Sequence, residues 1–186
     1  MALQRGSSAH YLLVQVLRDQ NIPVNEVEVV PLSPADARAA FEQGTVDAWS
    51  IWDPFLGVIE ATGNARNLSL GRDRRAFFLA SQNFVNTYPE RVKTFLLEAK
   101  QTEEWGQKNT KAIAQQFAEE LKIDVTILEK ANQRRGWGLL PITPESIVTQ
   151  QRVADTFYEL DIVPKSVQIS DVTLPEQVYA QLYPST

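Results

Sequence analysis

Hydrophobic and polar positions follow one pattern in the first part of the chain and another in the rest. A helix is predicted to start at Ser8, with apolar residues three and four positions apart, and to end near Asn21. Short apolar runs at 26–32, 46–51 and 67–70 predict strands. This first part therefore has a βαβαβ pattern.

Two more helices are predicted between these strands from their start signals. Ser33 is a suitable N-cap, Pro34 suits the first helical position, and Asp36 is an acid in the first turn. Gly44 is expected to close that helix. A shorter helix is predicted from Pro54 to about residue 61.

Beyond residue 75 the apolar spacing is almost entirely helical. One apolar strand is predicted at 76–80. Helices are predicted at 89–106, 110–121, 125–135 and 144–160, and the proline-rich tail is expected to add a strand at 166–169 and a helix at 176–182. The polar run 71–75 separates the two patterns. We therefore place a boundary there, with one unit at 1–73 and a second at 74–186.

Composition and charge exclude several classes of protein. The chain is 44% hydrophobic and 22% charged, which is ordinary for a soluble globular protein. Its 18 basic and 23 acidic residues give a net charge of −5, and no basic cluster is interleaved with aromatics, so nucleic acid is not an expected partner. With no cysteine and one histidine, neither a metal site, a cofactor nor a catalytic residue is expected.

The candidate chemistry lies at the start of the first helix, where Arg5 to Tyr11 reads R-G-S-S-A-H-Y. Gly6 lets the backbone approach a ligand closely, and Ser7 or Ser8 can cap the helix. The N–H groups of the first helical turn have no partner inside the helix, and the positive end of the helix dipole lies there. These features predict an anion-binding turn for a sulfonate, phosphate or carboxylate.

Several longer strings carry a resemblance to a known family. They are R-G-S-S-A-H-Y-L-L, L-S-P-A-D-A-R-A-A-F-E-Q-G-T-V-D-A-W-S-I-W-D-P, F-F-L-A-S-Q-N-F-V-N-T-Y-P-E-R-V and Q-Q-R-V-A-D-T-F-Y-E-L-D-I-V-P-K. Together they span essentially the whole chain. They resemble the aliphatic-sulfonate-binding proteins of bacterial ABC importers, a family that also includes taurine and nitrate binders.

The resemblance implies an α/β fold of the type II periplasmic-binding-protein kind, in which two lobes close on a small anionic ligand such as an alkanesulfonate, taurine or nitrate. The implied partner is an ABC permease, and the implied location is the periplasm, although the N-terminus shows no signal-peptide layout. Residues 1–73 resemble the second lobe, a βαβ-type unit, and 74–186 the mostly helical, later part of the first lobe. Because the family's N-terminal half-lobe has no counterpart, we expect a fragment that binds ligand weakly or not at all and hides its uncovered apolar surface as a dimer or segment-swapped oligomer.

The family's ligand contacts can be carried over to particular positions. Gly6, Ser7 and Ser8 match the turn that contacts the anionic group. Trp52 and Asp53 match the W-[DE]-P turn near the hinge, where the indole can line an alkyl chain. Asp53 either caps the next helix or faces the cleft and favours a ligand ammonium.

Other conspicuous residues have plainer interpretations. His10 is expected to have a cleft-side or packing role, and Trp49 is expected in the core. The segment 134–138 could form a cleft loop, but a helix C-cap built on Gly136 explains it without a ligand, and for Glu103 we expect a solvated helix face.

Two other classes were weighed against the importer. The first is a cytosolic enzyme similar to the thiamine-pyrimidine synthases of this fold, which depends on histidine and a cysteine-rich motif. The second is an effector-sensing domain, which needs a helix-turn-helix segment that this sequence lacks. The residues therefore favour the importer component.

Overall fold

A computed structural model of the chain describes residues 1–68 and 76–183. In these ranges the α-helices are α1 Ser8–Asp19, α2 Pro34–Glu42, α3 Phe55–Ala61, α4 Gln82–Thr87, α5 Pro89–Lys108, α6 Thr110–Leu121, α7 Val125–Arg134, α8 Pro144–Glu159 and α9 Glu176–Leu182. The strands are β1 Ala2–Leu3 and β2 Val30–Pro31, and short 3-10 helices lie at Val24–Glu26 and Ile169–Val172. None of the described helices is both long and apolar enough to cross a membrane.

The strands form a small parallel sheet with β1 in its centre. Ala2 pairs with Val30 of β2, and on its other side it forms a parallel bridge with Trp49. The backbone N–H of Ala2 donates to the carbonyl of Ala48 at 2.8 Å, and Ser50 donates to the carbonyl of Ala2 at 3.0 Å. The α/β class predicted from the sequence is thus confirmed.

Each face of this sheet is covered by one helix. Ala2 packs with Ala37 of α2 and with Trp49, so Trp49 is a core residue as predicted. Leu3 packs instead with Leu13 of α1. Neighbouring residues of a strand point to opposite faces, so this two-residue strand anchors both helices.

The helix starts follow the predicted caps. The side chain of Ser33 accepts from the backbone N–H of Asp36, and that of Asp124 accepts from Thr126. Thr143 and Ser146 form a reciprocal capping box at the start of α8. Local side-chain chemistry therefore places most helix starts correctly.

The predicted strands are mostly wrong in extent. The run 26–32 is shortened to β2, and 46–51 contributes one bridge. Residues 76–80 and 166–169 are not strands, and α4, which Ser81 caps, was not predicted. An apolar run becomes a strand only where another strand pairs with it. The run 76–80 has no such partner among the described residues, and its Leu79 is 93% exposed. In 67–70, only 67–68 are described, without strand structure, and the proposed boundary at 71–75 lies outside the described residues.

Two sets of contacts join the first 68 residues to the helical part. Helix α1 meets α8, where Arg18 donates to Glu159 at 2.8 Å and to the hydroxyl of Thr156 at 3.3 Å. Helix α3 meets α7 through an arginine, Arg134. Both contacts involve elements next to the sheet edge where the predicted site residues lie.

Candidate functional site

The predicted turn forms at the carboxyl end of β1. Gly6 has φ +74°, a backbone conformation that a residue with a side chain adopts only with strain. Ser7 follows as the N-cap of α1, and its hydroxyl oxygen accepts from the backbone N–H of His10 at 3.2 Å. The backbone N–H groups of Ser8 and Ala9 have no acceptor among the hydrogen bonds of residues 1–68 and 76–183. The first turn of α1 therefore keeps two donors free for an anion.

The side chain of His10 stabilises this turn through a hydrogen bond. Its Nδ1 accepts from the backbone N–H of Gly6 at 3.2 Å, and its ring centroid lies 5.8 Å from that of Phe157. Burial lowers the pKa of His10, and the nearby Arg5 lowers it further. A neutral imidazole can accept this hydrogen bond, whereas the protonated ring cannot. His10 is buried and packs against Phe157, and it also lines the cavity beside the turn.

The turn of residues 52–54 lies at the same edge of the sheet. Because β1 and the segment containing Trp49 run parallel, their carboxyl ends lie at the same edge. Ala2 pairs with Trp49, so Arg5 and Trp52, each three residues further along its own segment, both lie near that edge. The hydroxyl of Ser50 donates to the carbonyl of Ala9 at 2.9 Å, which ties this segment to the start of α1. The two predicted halves of the site are thus brought together.

The order of the strands changes direction at this edge of the sheet. The chain passes from β1 to β2 on one side and then returns to the segment 48–50 on the other side of β1. In open α/β sheets, ligands bind outside the carboxyl ends of the strands at such a reversal of direction. The Gly6 turn and the Trp52 turn lie on its two sides.

Trp52 is half-buried, and its ring meets Phe55 edge to face with a centroid distance of 6.3 Å. Asp53 does not cap α3, because the N-cap position is held by Pro54 and no side chain caps that helix. The capping interpretation of Asp53 is therefore wrong. Its carboxylate instead accepts from the guanidinium of Arg134 at 2.6 Å.

The contact between Arg134 and Asp53 was not expected from the sequence. The second amino group of Arg134 donates to Glu60 at 2.6 Å, so one guanidinium holds a carboxylate of α3 and also that of Asp53, which precedes the helix. The hydrogen bond from Arg134 is the largest of the effects that lower the pKa of Glu60. No sequence signal pairs residues 81 positions apart.

The segment after Arg134 is tied to α5. Arg135 is the C-cap of α7 in an extended conformation, so the expected C-cap on Gly136 is wrong. Arg135 forms an ion pair with Glu103 and stacks on Trp137, with its guanidinium carbon 4.3 Å from the ring centroid. Glu103 also accepts from the backbone N–H of Gly138 at 3.2 Å. Glu103 is thus a tertiary contact and not a solvated face.

A cavity of about 200 Å³ lies beside the Gly6 turn. Arg5 and His10 supply its polar groups, and the guanidinium of Arg5 donates to the carbonyl of Asp161 at 3.1 Å. The other lining residues are apolar: Val24, Val29, Pro31, Leu160 and Ile162. No cluster of three metal-ligating side chains occurs among the described residues.

Crystal structures of two solute-binding proteins match this chain over most of its length. The crystal structure of the periplasmic aliphatic sulphonate binding protein SsuA from Escherichia coli matches with a TM-score of 0.86 and 30% identity, over 94% of this chain and 58% of that one. The alkanesulfonate-binding protein SsuA from Xanthomonas axonopodis pv. citri, bound to MOPS, matches with a TM-score of 0.81 and 30% identity, over 93% and 61% of the two chains.

A curated aliphatic sulfonates-binding protein of Escherichia coli (strain K12) is 31% identical over 173 residues, which cover 91% of this chain and 54% of the relative. The chain therefore spans about half the length of that relative. No protein-family model matches it. The resemblance to aliphatic-sulfonate-binding proteins and the periplasmic-binding-protein fold, both predicted from the sequence, are thus confirmed, and these relatives are named as binding proteins and not as enzymes.

Proposed function

We propose that this chain is part of the solute-binding component of an ABC importer and that it binds the anionic head of an aliphatic sulfonate. Delivery of that ligand to a membrane permease, a periplasmic location and a binding role without catalysis are parts of the same proposal. The observation that carries it is the pair of free N–H groups on Ser8 and Ala9, which lie at the carboxyl edge of the sheet in a fold shared with sulfonate binders.

A sulfonate suits this turn for reasons of charge and hydrogen bonding. It remains an anion at any physiological pH and accepts hydrogen bonds through each of its oxygens. Backbone N–H groups at a helix N-terminus and the hydroxyl groups of Ser7 and Ser8 are donors of the right kind. Trp52, on the other side of the edge, can cover an alkyl chain.

Further parts of the proposal concern the two lobes and the strength of ligand binding. We propose that 1–73 and 74–186 are portions of two lobes and that the ligand lies between them. Affinity in the 186-residue chain should be weak, because the sulfonate-binding relatives contain further sequence that this chain does not match. The enzyme alternative is not favoured, since Nδ1 of His10, the single histidine, already accepts a hydrogen bond from the backbone N–H of Gly6.

The experiment replaces Ser7 and Ser8 by alanine, one at a time, and titrates each variant with ethanesulfonate, using protein NMR spectra to measure weak affinities. Each replacement should weaken binding by about 1.5–3 kcal/mol, roughly ten- to hundredfold, because a hydrogen bond to a charged group is lost.

Ser33→Ala is the matched control, since Ser33 caps α2 in the way that Ser7 caps α1. It should lower stability by about 1 kcal/mol and leave ligand affinity unchanged. Equal affinity in the wild-type chain and in both site variants would show that neither hydroxyl group contacts the ligand, and failure of the wild-type chain to bind ethanesulfonate would refute the proposed site on the backbone N–H groups.

A further inference from the structure

Arg134 holds the Asp53 carboxylate in a partly buried ion-pair network. Its guanidinium lies 2.6 Å from an oxygen of Asp53 and 2.6 Å from an oxygen of Glu60. The exposed fractions of the three side chains are 36% for Arg134, 22% for Asp53 and 30% for Glu60. Partial burial and two charged partners make such a contact more persistent than an isolated surface pair.

Gly57 allows the guanidinium to take this position. Gly57 and Glu60 are three residues apart and lie on one face of α3, and Asp53 lies just before Pro54, the N-cap residue of that helix. A Cβ at position 57 would lie 3.3 Å from a terminal nitrogen of Arg134 and 2.9 Å from a methyl carbon of Ile127. The arginine therefore lies across the glycine, between carboxylates on either side of it.

The two carboxylates differ in what else holds them. Glu60 also accepts from the side-chain amide of Asn67 at 2.7 Å. For Asp53, the described residues offer only Arg134 as a side-chain partner. Loss of the guanidinium would therefore free mainly the carboxylate that is adjacent to Trp52.

A free carboxylate beside the proposed cleft would attract an ammonium group on a ligand and repel a second anionic group. With Arg134 bound, most of that charge is compensated. Building on the proposed function, we infer that Arg134 is a specificity-determining positioning residue: by holding Asp53, it makes the site select alkanesulfonates without an amino group over amino-substituted ones. It acts through Asp53 and does not itself need to touch the ligand.

The test compares two ligands that differ only in the amino group, ethanesulfonate and 2-aminoethanesulfonate. The measured quantity is the ratio of their dissociation constants in the 186-residue chain, obtained by NMR titration. The wild-type chain should prefer ethanesulfonate. Arg134→Gln should shift the ratio about tenfold toward the amino ligand, and adding Asp53→Asn to it should abolish the shift.

Arg135→Gln is the matched control, because it removes the same charge from the neighbouring residue, whose partner is Glu103 on α5. It should leave the ratio unchanged, whereas a nonspecific effect of losing one positive charge would shift the ratio in this control as well. Gly57→Ala adds a Cβ against Ile127 and the Arg134 guanidinium without changing any charge, so any shift of the ratio that it causes should be in the same direction.

The outcomes separate this inference from the function on which it rests. If both ligands bind and neither Arg134→Gln nor Gly57→Ala changes the ratio, Arg134 has only a structural role and the inference is wrong. If the wild-type chain binds neither ligand, the proposed sulfonate site is itself refuted and the inference is refuted with it.

Discussion

Replacing Gly106 by alanine should destabilise the protein, although alanine is the better helix former. Gly106 lies in α5, and a Cβ there would lie 2.3 Å from one carbon of the Trp137 ring and 3.0 and 3.1 Å from two others. Real Cβ atoms do not approach ring carbons so closely. The indole would have to leave its position against α5.

The expected cost follows from what the ring would lose. Its N–H donates to the carbonyl of Asn132 at 2.8 Å, a hydrogen bond of about 1 kcal/mol. The stacking of Arg135 on the ring contributes about 0.5–1 kcal/mol, and re-exposing a half-buried indole costs about 1–1.5 kcal/mol. Alanine regains about 1 kcal/mol through helix propensity, so the net destabilisation of Gly106→Ala should be about 2 kcal/mol.

The assay is urea unfolding followed by far-UV circular dichroism, with Gly106→Ala introduced both into the wild-type chain and into a Trp137→Ala variant. In a Trp137→Ala background there is no ring to displace, so Gly106→Ala should stabilise the protein by up to about 1 kcal/mol. This reversal of sign is the decisive result. If Gly106→Ala were neutral or stabilising in the wild-type background, Trp137 would not be packed on α5 as described.

Three further predictions concern other parts of the chain. Burial, and secondarily Arg5, lowers the pKa of His10, so the unfolded chain binds the proton more readily than the folded one. The free energy of unfolding should therefore fall as the pH drops below about 6.5, and it should fall less in His10→Asn. Urea unfolding of both proteins across that pH range measures this. Thr143→Ala should cost about 1 kcal/mol by loss of the capping box, whereas Thr149→Ala, at an exposed position in the middle of α8, should not destabilise; thermal unfolding of both variants checks this. Phe78 and Leu79, 59% and 93% exposed, should make the purified chain dimerise, and Leu79→Lys should shift it to monomer in light scattering; a wild-type chain that stays monomeric contradicts this prediction.

Much of the helical structure could be predicted because its signals are local. Ser33 and Thr143 accept from backbone groups three residues ahead, so the residues that start a helix are neighbours in sequence. The Gly6 turn was predicted for the same reason, since a positive φ and an N-cap depend on adjacent residues.

Strand pairing could not be predicted in the same way. The run 76–80 is as apolar as the run that contains Trp49, yet only the second lies beside β1 and forms a bridge. Whether an apolar run pairs depends on which distant backbone groups reach it. The apolar pattern marks such runs as candidates and leaves the pairing open.

Some features of the candidate site depend on neighbouring residues, and others depend on tertiary contacts. By itself, the sequence determined the Gly6 turn before α1, the helix caps and the resemblance to sulfonate binders. Only the tertiary structure decided that Asp53 is held by Arg134, that Glu103 pairs with Arg135, and that His10 packs against Phe157. The physical reason is distance along the chain: a cap joins residues three positions apart, whereas the contact between Asp53 and Arg134 forms only after α3 and α7 have packed together.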